Sequence, residues 1–201
     1  MQAIILTAFG SSEHFRLADV PTPLPRPGEV RVRVHAAGFN PVDYQTRQGS
    51  GLTLPLILGL DIAGTIDALG EGVSDVRVGE PVYGYLPPSH RSNGGYAEYA
   101  CVPPAFLAPL PPGLSFAQAA ALPVASLTAY QCVVEDVKLV AGQPLFMTGA
   151  TGGVGTMALQ MAKMLGANPI ITTAGSPASA TYLREVLGVE SHHILQYPDR
   201  S

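Results

Sequence analysis

The residues with the clearest chemical meaning stand in the run Thr148-Gly149-Ala150-Thr151-Gly152-Gly153-Val154-Gly155. A pyrophosphate needs backbone N–H groups at a helix N-terminus and no side chain in the path of its approach. Gly152 leaves that path open, and Gly155 lets a helix pack closely on a strand, the parts these positions play in a G-x-G-x-x-G turn. Ala150 takes the first glycine position, and Gly153 and Val154 supply N–H groups where the helix starts. A tight turn alone would also use glycines, so the flanks decide. Pro144-Leu145-Phe146-Met147 reads as a short buried strand, and Met157, Ala158, Met161 and Leu165 share one helical face until Gly166 stops it. Strand, glycine turn and helix form the context that dinucleotide binding requires.

The next strand states which dinucleotide. An NAD site uses an Asp or Glu about 20 residues after the turn to hold the ribose hydroxyls. Here that place holds Thr172, Thr173, Ala174, Gly175 and Ser176. With no acid to repel a 2′-phosphate, the pattern favours NADP(H). No Lys or Arg lies between Lys163 and Arg184, so Thr173, Ser176 and Tyr197 must carry the phosphate contact.

The elements around these residues follow from local signals. Ile170 to Thr173 is a second strand, Ser176-Pro177 caps and opens a helix that runs to Gly188, and His193 to Gln196 is a third strand. Strand and helix alternating in this way make half of a doubly wound fold, whose full order is 3-2-1-4-5-6. The chain ends at Ser201, directly after the third strand. The expectation is therefore a fragment or truncated product of a longer protein. It should have weak cofactor affinity, little turnover and an open strand edge that drives association into a homo-oligomer.

The first hundred residues follow a different grammar. Val30-Arg31-Val32-Arg33-Val34-His35 alternates strictly, and Ala3 to Leu6, Ile62 to Ile66 and Tyr96 to Val102 are short runs bounded by turn residues. They predict a partly closed antiparallel β domain. Phe116 to Leu122 and Ser126 to Val134 read as helices, with Pro123 breaking or kinking between them. Tyr99 to Val134 has no charged residue, long enough to span a bilayer. Seven proline and glycine residues interrupt it, and a helix broken so often leaves backbone groups unsatisfied in lipid. A buried connection between domains is the expectation, with no membrane span. Apolar residues make up 47% and charged ones 13%, which is not a disordered profile. A net charge of −4 gives no electrostatic basis for binding nucleic acid. Cys101 and Cys132 are too few for a disulfide scaffold, and MQAIILTAFG lacks the features of a secretory signal, so the cytoplasm is the expected compartment.

Several motifs in order resemble one family along essentially the whole chain. They are RPGEVRVRVHAAGFNPVDY, LGLDIAGTIDALG, VRVGEPVYGY, GGYAEY, AAALPVASLTAY and GATGGVG. The chain resembles the zinc-independent medium-chain dehydrogenases/reductases of the quinone oxidoreductase and enoyl reductase type. The resemblance implies an α/β protein with an all-β part: a GroES-like β domain over 1–122, then the first half of a Rossmann sheet over 123–201, with an active-site cleft between them. Zinc-containing relatives place ligands where this chain has Asn40, Leu60 and Val124, and apolar side chains cannot coordinate zinc. Among His14, His35, His90, His192 and His193 only the last two are adjacent, and neighbours do not easily share one ion. No metal is expected.

The resemblance also puts nicotinamide and ribose contacts on Asn40, Pro41, Val42, Asp43 and Thr128, and sets Tyr197 near the adenosine phosphate. Tyr44 is the polar group it turns toward substrate; quinone oxidoreductases often carry a tyrosine one place later, where this chain has Gln45. The implied reaction passes a hydride from NADPH to a small quinone or α,β-unsaturated carbonyl. A zinc-free alcohol oxidoreductase on the same scaffold, and a non-catalytic cofactor-binding or interaction protein, remain as alternatives.

Overall fold

In the computed structural model, residues 1–49, 51–87 and 94–197 are described; His90 and Ser201 lie outside them. Two units divide at Val124 and Ala125. The first contains β1 (Gln2–Leu6), β2 (Phe15–Asp19), β3 (Val30–Gly38), α1 (Pro41–Gln48), β4 (Leu56–Ile57), β5 (Asp61–Leu69), β6 (Pro81–Tyr85), β7 (Tyr99–Val102), β8 (Leu107–Pro109) and α2 (Phe116–Ala120). Five of the strands form a sheet of order β7-β3-β5-β6-β8, and three form a second, β2-β1-β4. Every pairing in both is antiparallel.

The valine alternation works as its period demands. Val30 and Val32 are buried with Ile62, Ile66, Val82, Leu86, Ala100 and Val102 on the inner face. Arg31 points the other way and pairs with Asp67, its Nε donating at 2.7 Å. The strand runs on to Gly38, past the predicted end at His35, because pairing with β5 continues to Asp61. Two register shifts, between Arg31 and Val32 and between Val34 and Ala36, absorb the loss of strict alternation.

The charge-free segment is spread over β7, β8, α2 and α3 (Pro123–Tyr130). Pro123 separates two helices, as expected, with α2 ending at Ala120. It opens α3 as its first residue, where a missing N–H costs nothing. The predicted helix over 126–134 therefore starts earlier and passes into a π-helical turn, Gln131–Asp136. Among the described residues no helix is long and apolar enough to cross a membrane.

The second unit holds β9 (Leu145–Met147), α4 (Gly153–Met164), β10 (Ile170–Ala174), α5 (Pro177–Glu185) and β11 (Ile194–Gln196). The strands are parallel and ordered β11-β10-β9, the start of a doubly wound sheet. Its core gathers Ala158, Leu159 and Ala162 from α4, Ile170 and Ala174 from β10, and Ala180 and Leu183 from α5. The buried face of α4 is thus centred on Leu159; Met157 and Met161 flank it, and Leu165 is the partly exposed C-cap instead of a core residue.

β9 lies at one edge of this sheet, with Phe146 59% exposed. Among the described residues β9 has β10 as its one strand partner, and an apolar edge of this kind is a template for another strand. The chain should therefore associate in a concentration-dependent way, and Phe146→Lys should raise the monomer fraction severalfold in sedimentation velocity. An unchanged distribution would show that association, if any, uses another surface.

Candidate cofactor and substrate site

The glycine turn is built for close approach. Gly149 adopts φ +69°, and its carbonyl accepts the Gly152 N–H at 3.0 Å. Gly152 then caps α4 in extended conformation. A Cβ at Gly155 would sit 2.1 Å from the Gly149 oxygen, so this glycine is required for packing of turn on helix. A Cβ at Gly152 would meet only that same oxygen, at 3.3 Å, and otherwise point into open space. The two glycines thus do different jobs, one inward and one outward. Ala150 is fully buried, with the Thr156 hydroxyl donating to its carbonyl at 3.3 Å, so it can offer a ligand only backbone. Gly153 and Val154 are exposed on the first turn of a 12-residue helix, whose N–H groups and dipole suit an anion.

At the far end of β10 the chain offers hydroxyls. The Ser176 oxygen accepts the Ser179 N–H at 3.1 Å and so caps α5, with Pro177 in the first turn. The two serine hydroxyls are 3.0 Å apart. Ser179 was not legible as a site residue, because its relevance comes only from this cap. Thr173 is half-buried. Tyr197 is 56% exposed and lies across Gly175, where a Cβ would come within 2.9 Å of the phenol oxygen. Tyr197 therefore lies beside the residue that precedes Ser176, at the end of β10. The flanking cations are used elsewhere: Lys163 donates to the carbonyls of Leu187 and Gly188, and Arg184 pairs with Glu185 at 3.3 Å.

In the first unit, α1 is anchored by two buried carboxylates. Asp43, 3% exposed, accepts hydrogen bonds from the Asn40 N–H at 3.0 Å, the Gly59 N–H at 3.1 Å and the Tyr96 hydroxyl at 3.2 Å. Asp61, 1% exposed, accepts from the Asn40 side-chain amide at 2.9 Å and the Val124 N–H at 3.0 Å. Burial pushes the Asp61 carboxyl up to about 6, against the pull of its two donors, and the charge of Asp43 adds to the rise. The Tyr96 phenol is also raised, by burial first and then by Asp43. Neither Asp61 nor Tyr96 was singled out from the sequence; both lie in the quoted motifs, and only the fold brings them to Asn40.

The other expected contacts are distributed unevenly. Pro41 is exposed at the start of α1, Val42 is half-buried, and Asp43 faces inward on its three donors. Tyr44 is 43% exposed, with the Arg47 guanidinium 5.8 Å from its ring centre. Thr128 is exposed on α3, in the second unit.

At the three positions compared with zinc ligands stand an amide committed to Asp61, the buried side chain of Leu60, and Val124, whose N–H is what it contributes. The reading of the histidines needs one correction. Glu190, His192 and His193 bring one donor atom each within 4.8 Å of the others, on an exposed turn. Spacing along the chain does not reveal that Glu190 joins the pair.

Residues 26–112 match the alcohol dehydrogenase GroES-like domain, a stretch that runs from before β3 to beyond β8. The chain is 36% identical over 180 residues to the quinone oxidoreductase of Homo sapiens, covering 88% of this chain and 53% of that protein. A crystal structure of an NAD-dependent alcohol dehydrogenase superposes with a TM-score of 0.90 at 36% identity, covering 98% of this chain and 64% of that one. The quinone oxidoreductase from Coxiella burnetii gives 0.87 at 36%, covering 98% and 62%. The chain thus carries an alcohol dehydrogenase GroES-like domain and is similar along nearly its whole length to medium-chain dehydrogenases/reductases. It spans about half the length of the curated relatives it matches.

The Asp61 carboxyl makes one part of this site pH-dependent. Its folded value of about 6 stands above the ordinary 3.8, so the folded state favours the protonated form. The stability this contributes is complete below about pH 4 and is lost as pH rises through 6. Asp61→Asn should remove that dependence. The difference in Tm between the parent and this variant should move in favour of the parent as pH falls from 7.5 to 5. A difference independent of pH would show that Asp61 titrates as an ordinary carboxylate.

Proposed function

We propose that the protein uses NADP(H) to reduce a quinone or an α,β-unsaturated carbonyl, without zinc. The observation that carries this reading is the pairing of an open glycine turn at the start of α4 with a hydroxyl-only strand end at Ser176 and Tyr197. Gly152, Gly153, Val154 and Gly155 would hold the pyrophosphate through their backbone, and Ala150 through its own. Thr173, Ser176, Ser179 and Tyr197 would contact the adenosine ribose and its phosphate. The bound nicotinamide supplies the hydride. The protein orients and stabilises.

Charge that develops on the substrate oxygen needs a donor. The amide, isobutyl and isopropyl side chains at Asn40, Leu60 and Val124 do not make a zinc site, so that donor is a hydrogen-bonding group. Asn40, held by Asp61, and Tyr44, half-exposed above Arg47, are the candidates, with the proton coming from Tyr44 or from solvent. The remaining contacts proposed for the nicotinamide end are Pro41, Val42, Asp43 and Thr128, with Asp43 acting through the geometry of α1. The cysteines are unpaired, as suits a reducing cytoplasm. A homo-oligomer is part of this proposal.

A second reading has its own support. The similar structure with TM-score 0.90 is that of an alcohol dehydrogenase named as NAD-dependent. Assays separate the two readings: reduction of quinones and enones supports the first, and oxidation of simple alcohols the second. Cofactor binding without turnover on either panel would favour a non-catalytic role.

Fluorescence titration should show NADPH binding more tightly than NADH by only about tenfold, since hydroxyls and no cation meet the 2′-phosphate. Gly152→Val should abolish binding of both, because its side chain would occupy the open side of the turn. Equal or tighter binding of NADH would overturn the cofactor preference, and unchanged binding in the variant would remove the turn from the site.

A further inference from the structure

A second cavity-forming feature lies wholly within the first unit. It encloses about 430 Å³ and is walled by Ile4, Phe15, Phe39, Tyr44 and Tyr96, with Arg47 at its side. That volume falls within the range of small-molecule pockets, roughly 300 to 1,000 Å³. Three of its walls are large side chains left substantially in solvent: Ile4, Phe39 and Tyr44. Apolar surface gathered in one concavity, unlike single exposed residues, marks a place where something binds.

The polar groups narrow the choice of ligand. Asp43 also lines the cavity, and its oxygens already accept from Asn40, Gly59 and Tyr96. Ser12 is the other polar residue of the lining. Arg47 is different: among the described residues no carboxylate lies within ion-pair distance of its side chain, which rests over the Tyr44 ring. A guanidinium is charged at all relevant pH and offers a planar fork of donors that matches a carboxylate or sulfonate. Held at the rim of aromatic walls, it has its charge only partly answered by the ring face.

We propose that this cavity binds a planar aromatic molecule bearing an anionic group, with Arg47 selecting the anion and the aromatic walls holding the ring. Because Tyr44 is shared with the hydride-transfer reading above, the proposal rests on that reading for its catalytic meaning. It deepens it by naming the substrate class: an aromatic quinone or aryl enone carrying an acidic substituent. The binding claim itself is separable from turnover. It also commits to a small molecule as occupant, so that a strand or helix of another protein seated on these residues is a competing outcome.

The test uses two probes of nearly equal shape that cannot accept a hydride, 2-naphthoate and the neutral 2-naphthamide, titrated into the full chain by calorimetry. The expected result is binding of the naphthoate at least about tenfold tighter, the range of one charge-assisted hydrogen-bonded contact. Arg47→Gln should erase that difference while leaving naphthamide affinity unchanged, and Arg47→Lys should retain part of it. The backbone bond from the Gly10 N–H to the Arg47 carbonyl is kept in both variants. Phe39→Ala should weaken both probes together. Equal affinities in the parent chain, a preference that survives Arg47→Gln, indifference of both probes to Phe39→Ala, or no binding of either at millimolar concentration would each overturn the proposal. If the selectivity holds and no quinone or enone is reduced, the hydride-transfer reading falls and the binding site stands.

Discussion

A carboxylate withdrawn from water must receive its hydrogen bonds from the protein or take up a proton. Two such groups, Asp43 and Asp61, sit beside each other under the start of α1, and much of the first unit is arranged to satisfy them. Asp43 ties the Asn40 backbone, the Gly59 backbone and the Tyr96 hydroxyl to one point. Asp61 receives the Asn40 amide and the Val124 backbone. Segments far apart in the chain are thereby fixed to one helix terminus. Asp61 still keeps a carboxyl value near 6, which shows that its two donors do not fully offset the loss of water and the neighbouring charge. Asn40 is positioned by this pair more than by its own turn.

The second unit depends on a steric constraint instead of an electrostatic one. Backbone passes over backbone where the turn meets α4, and only hydrogen fits at Gly155. The same close approach leaves the helix N-terminus bare on its outer side, so packing and the proposed anion binding would arise from one arrangement. At the end of β10, Ser176 serves the helix, by accepting the Ser179 N–H, and in the proposed reading a ligand as well. A site composed of hydroxyls around Tyr197 admits a phosphate without attracting it strongly. Under the proposed reading, selectivity for the phosphorylated cofactor would be modest.

The aromatic cavity beside α1 shows how one helix can serve two surfaces. Asp43 faces inward as an anchor, while Tyr44 and Arg47 turn toward the cavity. The cation is thus presented on a rigid support, fixed by the same buried bonds that hold Asn40. Residues of β1, β2 and the Tyr96 segment complete the walls, so the cavity depends on the pairing of β1 with β2 and on the bridge between Ala3 and Ala97.

What the sequence determined by itself is what local rules govern. Alternation in Val30 to His35 marked a half-buried strand, and the glycines, the flanking strand and the apolar face of α4 marked the turn. Ser176-Pro177 marked the start of a helix. Each of these signals is set by backbone sterics or by side-chain period within a dozen residues. The same logic set the interruption at Pro123 correctly but started the second helix too late, because a proline that ends one helix is indistinguishable from one that begins another until the neighbouring turns are known. It also centred α4 too far along, since Leu159 was no less apolar than its neighbours and only the facing strands chose it. Asp61, Tyr96 and Arg47 carried no local signal of their roles. A charged or phenolic side chain reads as solvated until its partners are known, and the partners of these three lie up to 63 residues away. Only the tertiary structure decides which acids leave water and which side chains a cation faces, because burial is a property of the packed neighbours and not of the residue.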